Sequence, residues 1–160
     1  MEFGKLFLAS KGEPIMYKGR ELKMYDRITL TKKKVSLKVQ FLKTYSHYTQ
    51  GIIIETKGVF KVLGKEAPFG IILWEDTAPE EIVILVESKD KEIIIYNAWK
   101  TEDGTVEYGY NGTAMHVEYF DNYRIYNCND GWPDDDMNDL IFKVEYFYDE
   151  SEKNSKNKNK

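Results

Sequence analysis

The sequence predicts an all-β protein, a single antiparallel β-sandwich domain of jelly-roll type, and three observations predict it. Aromatic residues make up 14% of the chain, with 12 Tyr against 5 Met; such side chains suit the half-buried pleated surface of a strand. Apolar residues recur with period two or in short β-branched runs, and no stretch keeps a 3.6-residue period over three turns. Asp103-Gly104, Asn111-Gly112, Asp121-Asn122 and Asp130-Gly131 punctuate the second half every eight to ten residues, the turn chemistry and spacing of many short strands. At 160 residues the chain is long enough to bury a core without disulfide staples.

Taken in order, the N-terminal "MEFGKLFLASKGEPIM" carries a short alternating apolar pattern. It has an acidic second residue and lacks the basic start and long apolar core of a signal peptide. "KVSLKVQFL" puts Val35, Leu37, Val39 and Phe41 on one face and Ser36, Lys38 and Gln40 on the other, which predicts a half-buried strand. "GIIIET", "FGIILWE", "EIVILVES" and "EIIIYNAW" are continuous apolar runs, expected to be strands buried on both faces. "EDTAPEE" fits one helical turn or a loop. Residues 105–110, 113–120, 123–128 and 139–148 then read as antiparallel strands, the first two joined by a hairpin at 111–112. The domain is expected to span 1–148, with 149–160 a disordered Lys/Asn-rich tail.

Charge narrows the function. The formal net charge is −4, and the final "SEKNSKNKNK" contributes four Lys against one Glu, leaving −7 for the rest. An acidic body argues against a nucleic-acid partner, which needs a basic patch. No segment has the length needed to span a membrane. The single cysteine, Cys128, rules out an internal disulfide, so a cytoplasmic location is expected, with export left open. Cys128 and His116 are a formal nucleophile–base pair, but acidic neighbours raise a thiol pKa. His116 and Glu118 read as a solvent-side pair on one strand face. No set of nucleophile, base and oxyanion donors can be assembled, and an enzyme is not expected.

The densest chemistry lies in "YNCNDGWPDDDMNDLIFKVEY", residues 126–146. Crowded carboxylates repel, and an ordered loop needs something to offset them. Ca2+ takes six to eight oxygens from carboxylates, amide and backbone carbonyls, and water. Asp130, Asp134, Asp136, Asn138 and Asp139 are the candidate ligands, and the alternation of Asp134, Asp136 and Asn138 allows a curved segment to aim all three inward. The EF-hand pattern is absent, since no Gly follows Asn138. Two His and one Cys do not make a zinc site, while Mg2+ is an alternative. The competing reading is a solvated acidic turn whose Asp side chains cap backbone N–H groups. Trp74, Trp99, Tyr108, Tyr110 and Trp132 fall near expected strand ends or loops. Of these Trp132, Trp99 and Tyr110 are the candidate stacking surfaces for a glycan, against the alternative that most of the rings fill the core.

"YNCNDGWPDDDMNDLIFKV" resembles the closing motif of a little-characterised family of bacterial β-sandwich domains, in which Cys-Asn-Asp-Gly, a run of Asp and Asp-Leu-hydrophobic-Phe precede the last strand. It is similar, more loosely, to Asp-rich loops of secreted β-sandwich modules that bind calcium. "APFGIILWEDTAPEEIVILVES", "EIIIYNAWKTEDG" and "YNGTAMHVEYF" look like the middle of the same family, so the resemblance covers residues 68–148. Met137 stands where an aromatic is more usual. The resemblance implies the sandwich fold and the acidic loop, and it lends no enzyme. The expected function is a calcium-binding module, with carbohydrate a candidate ligand and the ion structural in the 130–139 loop. The alternative is a non-enzymatic interaction protein, toxin-neutralising or coat-associated, whose acidic loop is a solvated turn or a partner contact.

Overall fold

Along β5 (Thr49–Val62) one parity of residues faces inward from end to end: Gln50, Ile52, Ile54, Thr56 and Phe60 are all buried. This long strand organises the computed structural model, which describes residues 3–109, 112–131 and 136–148. Residues 49–55 of β5 pair with β8 (Glu92–Lys100), and residues 58–62 pair with β7 (Glu81–Ser88). β6 (Lys65–Trp74) runs along the opposite edge of both halves, with a register shift between Glu55 and Val59.

Among the described residues the strands form a ten-stranded antiparallel sheet and a separate two-stranded one. From β7 the large sheet continues through β4 (Lys34–Thr44), β12 (Leu140–Phe147) and β11 (Tyr123–Asn129) to β10 (Ala114–Tyr119). On the other side β8 carries β3 (Asp26–Thr29) and the short β9 (Val106–Glu107). The inward columns of facing walls supply the core: Val35, Leu37 and Val39 of β4, Ile82, Ile84 and Val86 of β7, Ile93 and Ile95 of β8, and Phe142 and Val144 of β12. One all-β domain, as expected, is built from a single curled sheet whose opposite walls act as the two layers.

The sheet nearly closes into a barrel, because one chain segment touches both of its ends. Lys23 exchanges both backbone hydrogen bonds with Met115 of β10, each 2.8 Å, and the chain then enters β3 on β8. Asp26, fully buried at this seam, takes hydrogen bonds from Arg124 Nη1 and Tyr126 Oη at 2.7 Å each and from Lys23 Nζ at 3.1 Å. Over the β10 side lie α1 (Phe3–Ala9) and the hairpin of β1 (Ile15–Tyr17) and β2 (Arg20–Leu22). Their Phe3, Phe7 and Leu22 form a second apolar cluster with Ala114 and Met137. The alternating pattern expected of the N-terminus is corrected: Phe3 and Phe7, four residues apart, turn one helical face inward, and the helix ends where Gly12, at φ 81°, donates its N–H to Phe7 O.

Three strand expectations are corrected, the first at β6, where Phe69 is 67% and Ile72 43% exposed instead of buried on both faces. β7 alternates instead of being buried on both faces: Ile82, Ile84 and Val86 are inside, while Val83 and Leu85 are about half exposed. Nothing among the described residues covers its outer face as a helix covers a parallel sheet. Residues 105–110 do not form a hairpin with 113–120. β9 folds back on β8 through the Thr101–Thr105 turn, where Gly104 takes φ 84°, and β10 pairs with β11. Asn111 lies outside the described residues, as does the expected tail 149–160. No helix among the described residues is long and apolar enough to cross a membrane.

The inner wall fixes a pH response. Burial pushes the Tyr126 phenol well above its ordinary 10.0, helped by the Asp26 carboxylate. Burial, then Asp139, pushes the Cys128 thiol well above 9.0. An acid whose pKa rises on folding keeps its proton in the folded chain after the unfolded chain has lost it. Stability from these groups is therefore intact below pH 9 and falls above it, by up to about 1.4 kcal/mol per pH unit for each group once its unfolded form ionises. Urea unfolding at pH 8, 9.5 and 11 is expected to show the decline, and Cys128→Ala is expected to remove the part that begins near pH 9.

Candidate functional site

The inward columns that are apolar through the barrel turn polar at one end. On β8 the column runs Ile93, Ile95, Asn97, Trp99, and on β5 it runs Ile54, Ile52, Gln50. On β11, Tyr126 and Cys128 lead to Asp130 just past the strand. Gln50, Asn97, Asn129 and Asp130 are all at most 1% exposed, and Asp139, just before β12, is 6% exposed. This polar floor lies at the base of the 130–139 loop.

Hydrogen bonds tie the floor to the loop. Asp130 Oδ2 accepts from Ser46 Oγ at 2.5 Å and from Gln50 Nε2 at 3.2 Å. The Asp130 N–H donates to Asp139 Oδ2 at 2.9 Å, and Tyr45 N–H donates to Asp139 O at 3.1 Å. Asn97 Nδ2 donates to Asn129 O at 2.8 Å, and Met137 N–H donates to Asn129 Oδ1 at 2.8 Å. The β4–β5 connection and strands β5, β8, β11 and β12 thus meet here. Beside them Gln50 N–H donates to Glu75 Oε1, and Lys100 Nζ sits 4.3 Å from the centre of the Trp74 ring.

Of the five expected cation ligands, the structure joins Asp130 and Asp139 directly. Asn138 is half-buried and Asp136 is exposed; Asp134 lies outside the described residues. The inward alternation expected of Asp134, Asp136 and Asn138 is corrected at its centre. Met137, at φ 54°, is the residue turned inside, where it fills the pocket of Phe3, Phe7, Leu22 and Ala114. An apolar side chain suits that pocket better than a carboxylate would. Among the described residues, no three His, Cys, Asp or Glu side chains converge on one point as a metal cluster would.

Trp99 is also corrected as a stacking surface. It is 2% exposed, and its ring lies against Gly131, where an added Cβ would come within 2.6 Å of Cζ2. Its place in the inward column of β8 dictates this. Trp132 and Tyr110 lie outside the described residues. Cys128 and His116 cannot meet: Cys128 pairs with Met115 and His116 with Asn127, so the two side chains are on opposite faces of the sheet. The His116 ring instead sits 3.2 Å from Glu21 O, and Glu118 accepts from Asn127.

Sequence reading missed Ser46, Gln50 and Asn97. The signal for two of them was present: a polar residue standing in the inward register of an otherwise β-branched strand. No family model matches the chain, and neither a curated protein nor a solved structure matches it.

Proposed function

We propose that the chain is a non-enzymatic binding module whose 130–139 loop takes Ca2+ as a structural ion, and whose ligand surface is the loop end of the barrel. One observation carries the reading: the loop's first and last carboxylates, Asp130 and Asp139, are buried and joined at its base. A merely solvated acidic turn has no need to bury them. The resemblance of the closing motif to calcium-binding loops points the same way. The exposed Asp136 and half-buried Asn138 would add ligands from the solvent side; Asp134, outside the described residues, is the further candidate. A glycan is the first ligand to test, because Tyr45, His47, Tyr48 and Trp74 rim this end with rings only partly covered.

Thermal unfolding of the full chain in chelator, in millimolar Ca2+ and in Mg2+ tests the ion. Ca2+ at a hundredfold excess over Kd is expected to stabilise by about 2.7 kcal/mol, and Asp136→Ala to remove most of that gain while Glu118→Ala leaves it. No Ca2+ shift, or equal losses in the two variants, overturns the assignment. A glycan-array signal abolished by chelator is the matching result for the surface.

A protein partner is the second reading, favoured by the β10–β11 turn. There Phe120 and Tyr123 stack at 4.4 Å, and Arg124 lies over the exposed Tyr119 ring. Aromatic rings with Arg are the residues that dominate protein interfaces.

A further inference from the structure

Two polar atoms of the floor stand out. Gln50 Oε1 and Asn97 Oδ1 are buried and, among the described residues, accept no hydrogen bond. Exchanging oxygen and nitrogen does not repair this. A reversed Gln50 would face its oxygen to Tyr48 O and the Asp130 carboxylate, where its nitrogen now donates at 3.1 and 3.2 Å. A reversed Asn97 would set oxygen against Asn129 O, where its nitrogen donates at 2.8 Å. The amides are held by their nitrogens, and the oxygens find no donor among the described residues. A buried carbonyl without a partner is destabilising, so two in one small region call for something that binds oxygen.

Their positions say what. Gln50 and Asn97 are diagonal neighbours on the inward face of paired strands, since Gln50 is opposite Trp99 and Ile52 is opposite Asn97. The nitrogen end of each amide reaches the base of the acidic loop, at Asp130 and Asn129. Neutral amide oxygens beside carboxylates are an oxygen-only donor set, which suits a hard cation and no soft one. Ca2+ accepts such a mixed set of six to eight donors, whereas Mg2+ demands near-octahedral geometry and keeps its waters.

We infer that this floor is the inner half of the cation site, with Gln50 Oε1 and Asn97 Oδ1 as neutral ligands beneath Asp130 and Asp139. The inference rests on the loop reading above and extends it. The ion's inner ligands come from the barrel wall, with Asn97 33 and Gln50 80 positions before Asp130 in sequence. The sequence motif then contributes only the outer half, and binding would lock β5 and β8 to the β11–β12 connection.

The test is calorimetric titration of Ca2+ alone into the full chain and into Gln50→Glu, Asn97→Asp and Asp136→Ala, with melting of each in chelator and in Ca2+. Changing an inner amide to a carboxylate adds ligand charge, and each such variant is expected to bind Ca2+ about tenfold more tightly. In chelator both variants are expected to melt lower, because the new oxygen faces Asp130 in Gln50→Glu and Asn129 O in Asn97→Asp, and Ca2+ is expected to close both gaps. Asn97→Asp keeps the experiment decisive if Gln50→Glu does not fold without the ion. Unchanged or weaker affinity in both amide variants, with loss in Asp136→Ala, overturns the inference and leaves the loop reading standing: the ion then sits in the outer loop and the amides hold buried water. No binding by the unaltered chain overturns both.

Discussion

Asp26→Ala is expected to destabilise the barrel by roughly 3–5 kcal/mol, the cost of breaking a buried charge pair from one side. The carboxylate is fully buried and joins three side chains at the seam: Lys23 before β3, and Arg124 and Tyr126 on β11. Burial alone would lower the Arg124 pKa, but the Asp26 carboxylate more than reverses it and holds the guanidinium's value above its ordinary one. Removing Asp26 leaves that guanidinium, 16% exposed at its side chain, and the Lys23 ammonium without the carboxylate that stands between them. Asp26→Asn keeps the shape and an acceptor for Tyr126, so it should fall between the native chain and the alanine variant. Denaturant unfolding of Asp26→Ala, Arg124→Ala and the double variant measures the coupling directly. A loss under about 1 kcal/mol for Asp26→Ala would mean the seam is held by the Lys23–Met115 backbone bonds and the pair is incidental.

The seam also marks where reading from sequence stops. Val35, Leu37, Val39 and Phe41 were legible as one face because strand period is a local property, and all four are buried. The Asp121-Asn122 turn was legible for the same reason, and β10 and β11 do pair across it. Asp26 pairs with a residue 98 positions away, and nothing near "MYDRITL" announces Arg124. Asn111-Gly112 has good hairpin chemistry, yet β9 pairs elsewhere because the Thr101–Thr105 turn comes first in the chain. There Asp103 accepts from Thr101 and Thr105, which holds its carboxyl down at about 2. At the candidate site, Asp130 and Asp139 declared themselves by charge density. Gln50 and Asn97 did not, because an amide within an apolar run becomes informative only once the inward parity of its strand is known. Trp99 failed for that same reason: proximity to a strand end says nothing about which face a ring is on.

Gly58→Ala carries the other large expected effect, and its cause is the hand-off along β5. Between Glu55 and Val59 the strand leaves β8 and takes up β7, so two neighbours must converge on one edge within a few residues. Gly58 stands opposite Ser88 at the point of closest approach, and a Cβ built there would lie 1.8 Å from the Glu87 carbonyl oxygen. That atom is backbone and cannot rotate away. The surroundings are also committed: Thr56 Oγ1 lies 2.7 Å from both Ser88 Oγ and Glu92 O, and Ser88 N–H donates to Lys33 O at 2.7 Å. Relieving the clash means lifting β7 off β5 and stretching these bonds together. A loss of about 3 kcal/mol, the upper end of overpacking costs, is expected in urea unfolding. Gly64→Ala is the comparison, because its Cβ would meet nothing within 4 Å while φ is 78°, so it carries only the milder cost of a left-handed backbone, about 1–2 kcal/mol. If the two variants lose the same stability, crowding at the crossing is not what selects glycine there. If Gly58→Ala loses clearly more, the absence of a side chain at the crossing is what lets β5 serve both walls of the barrel.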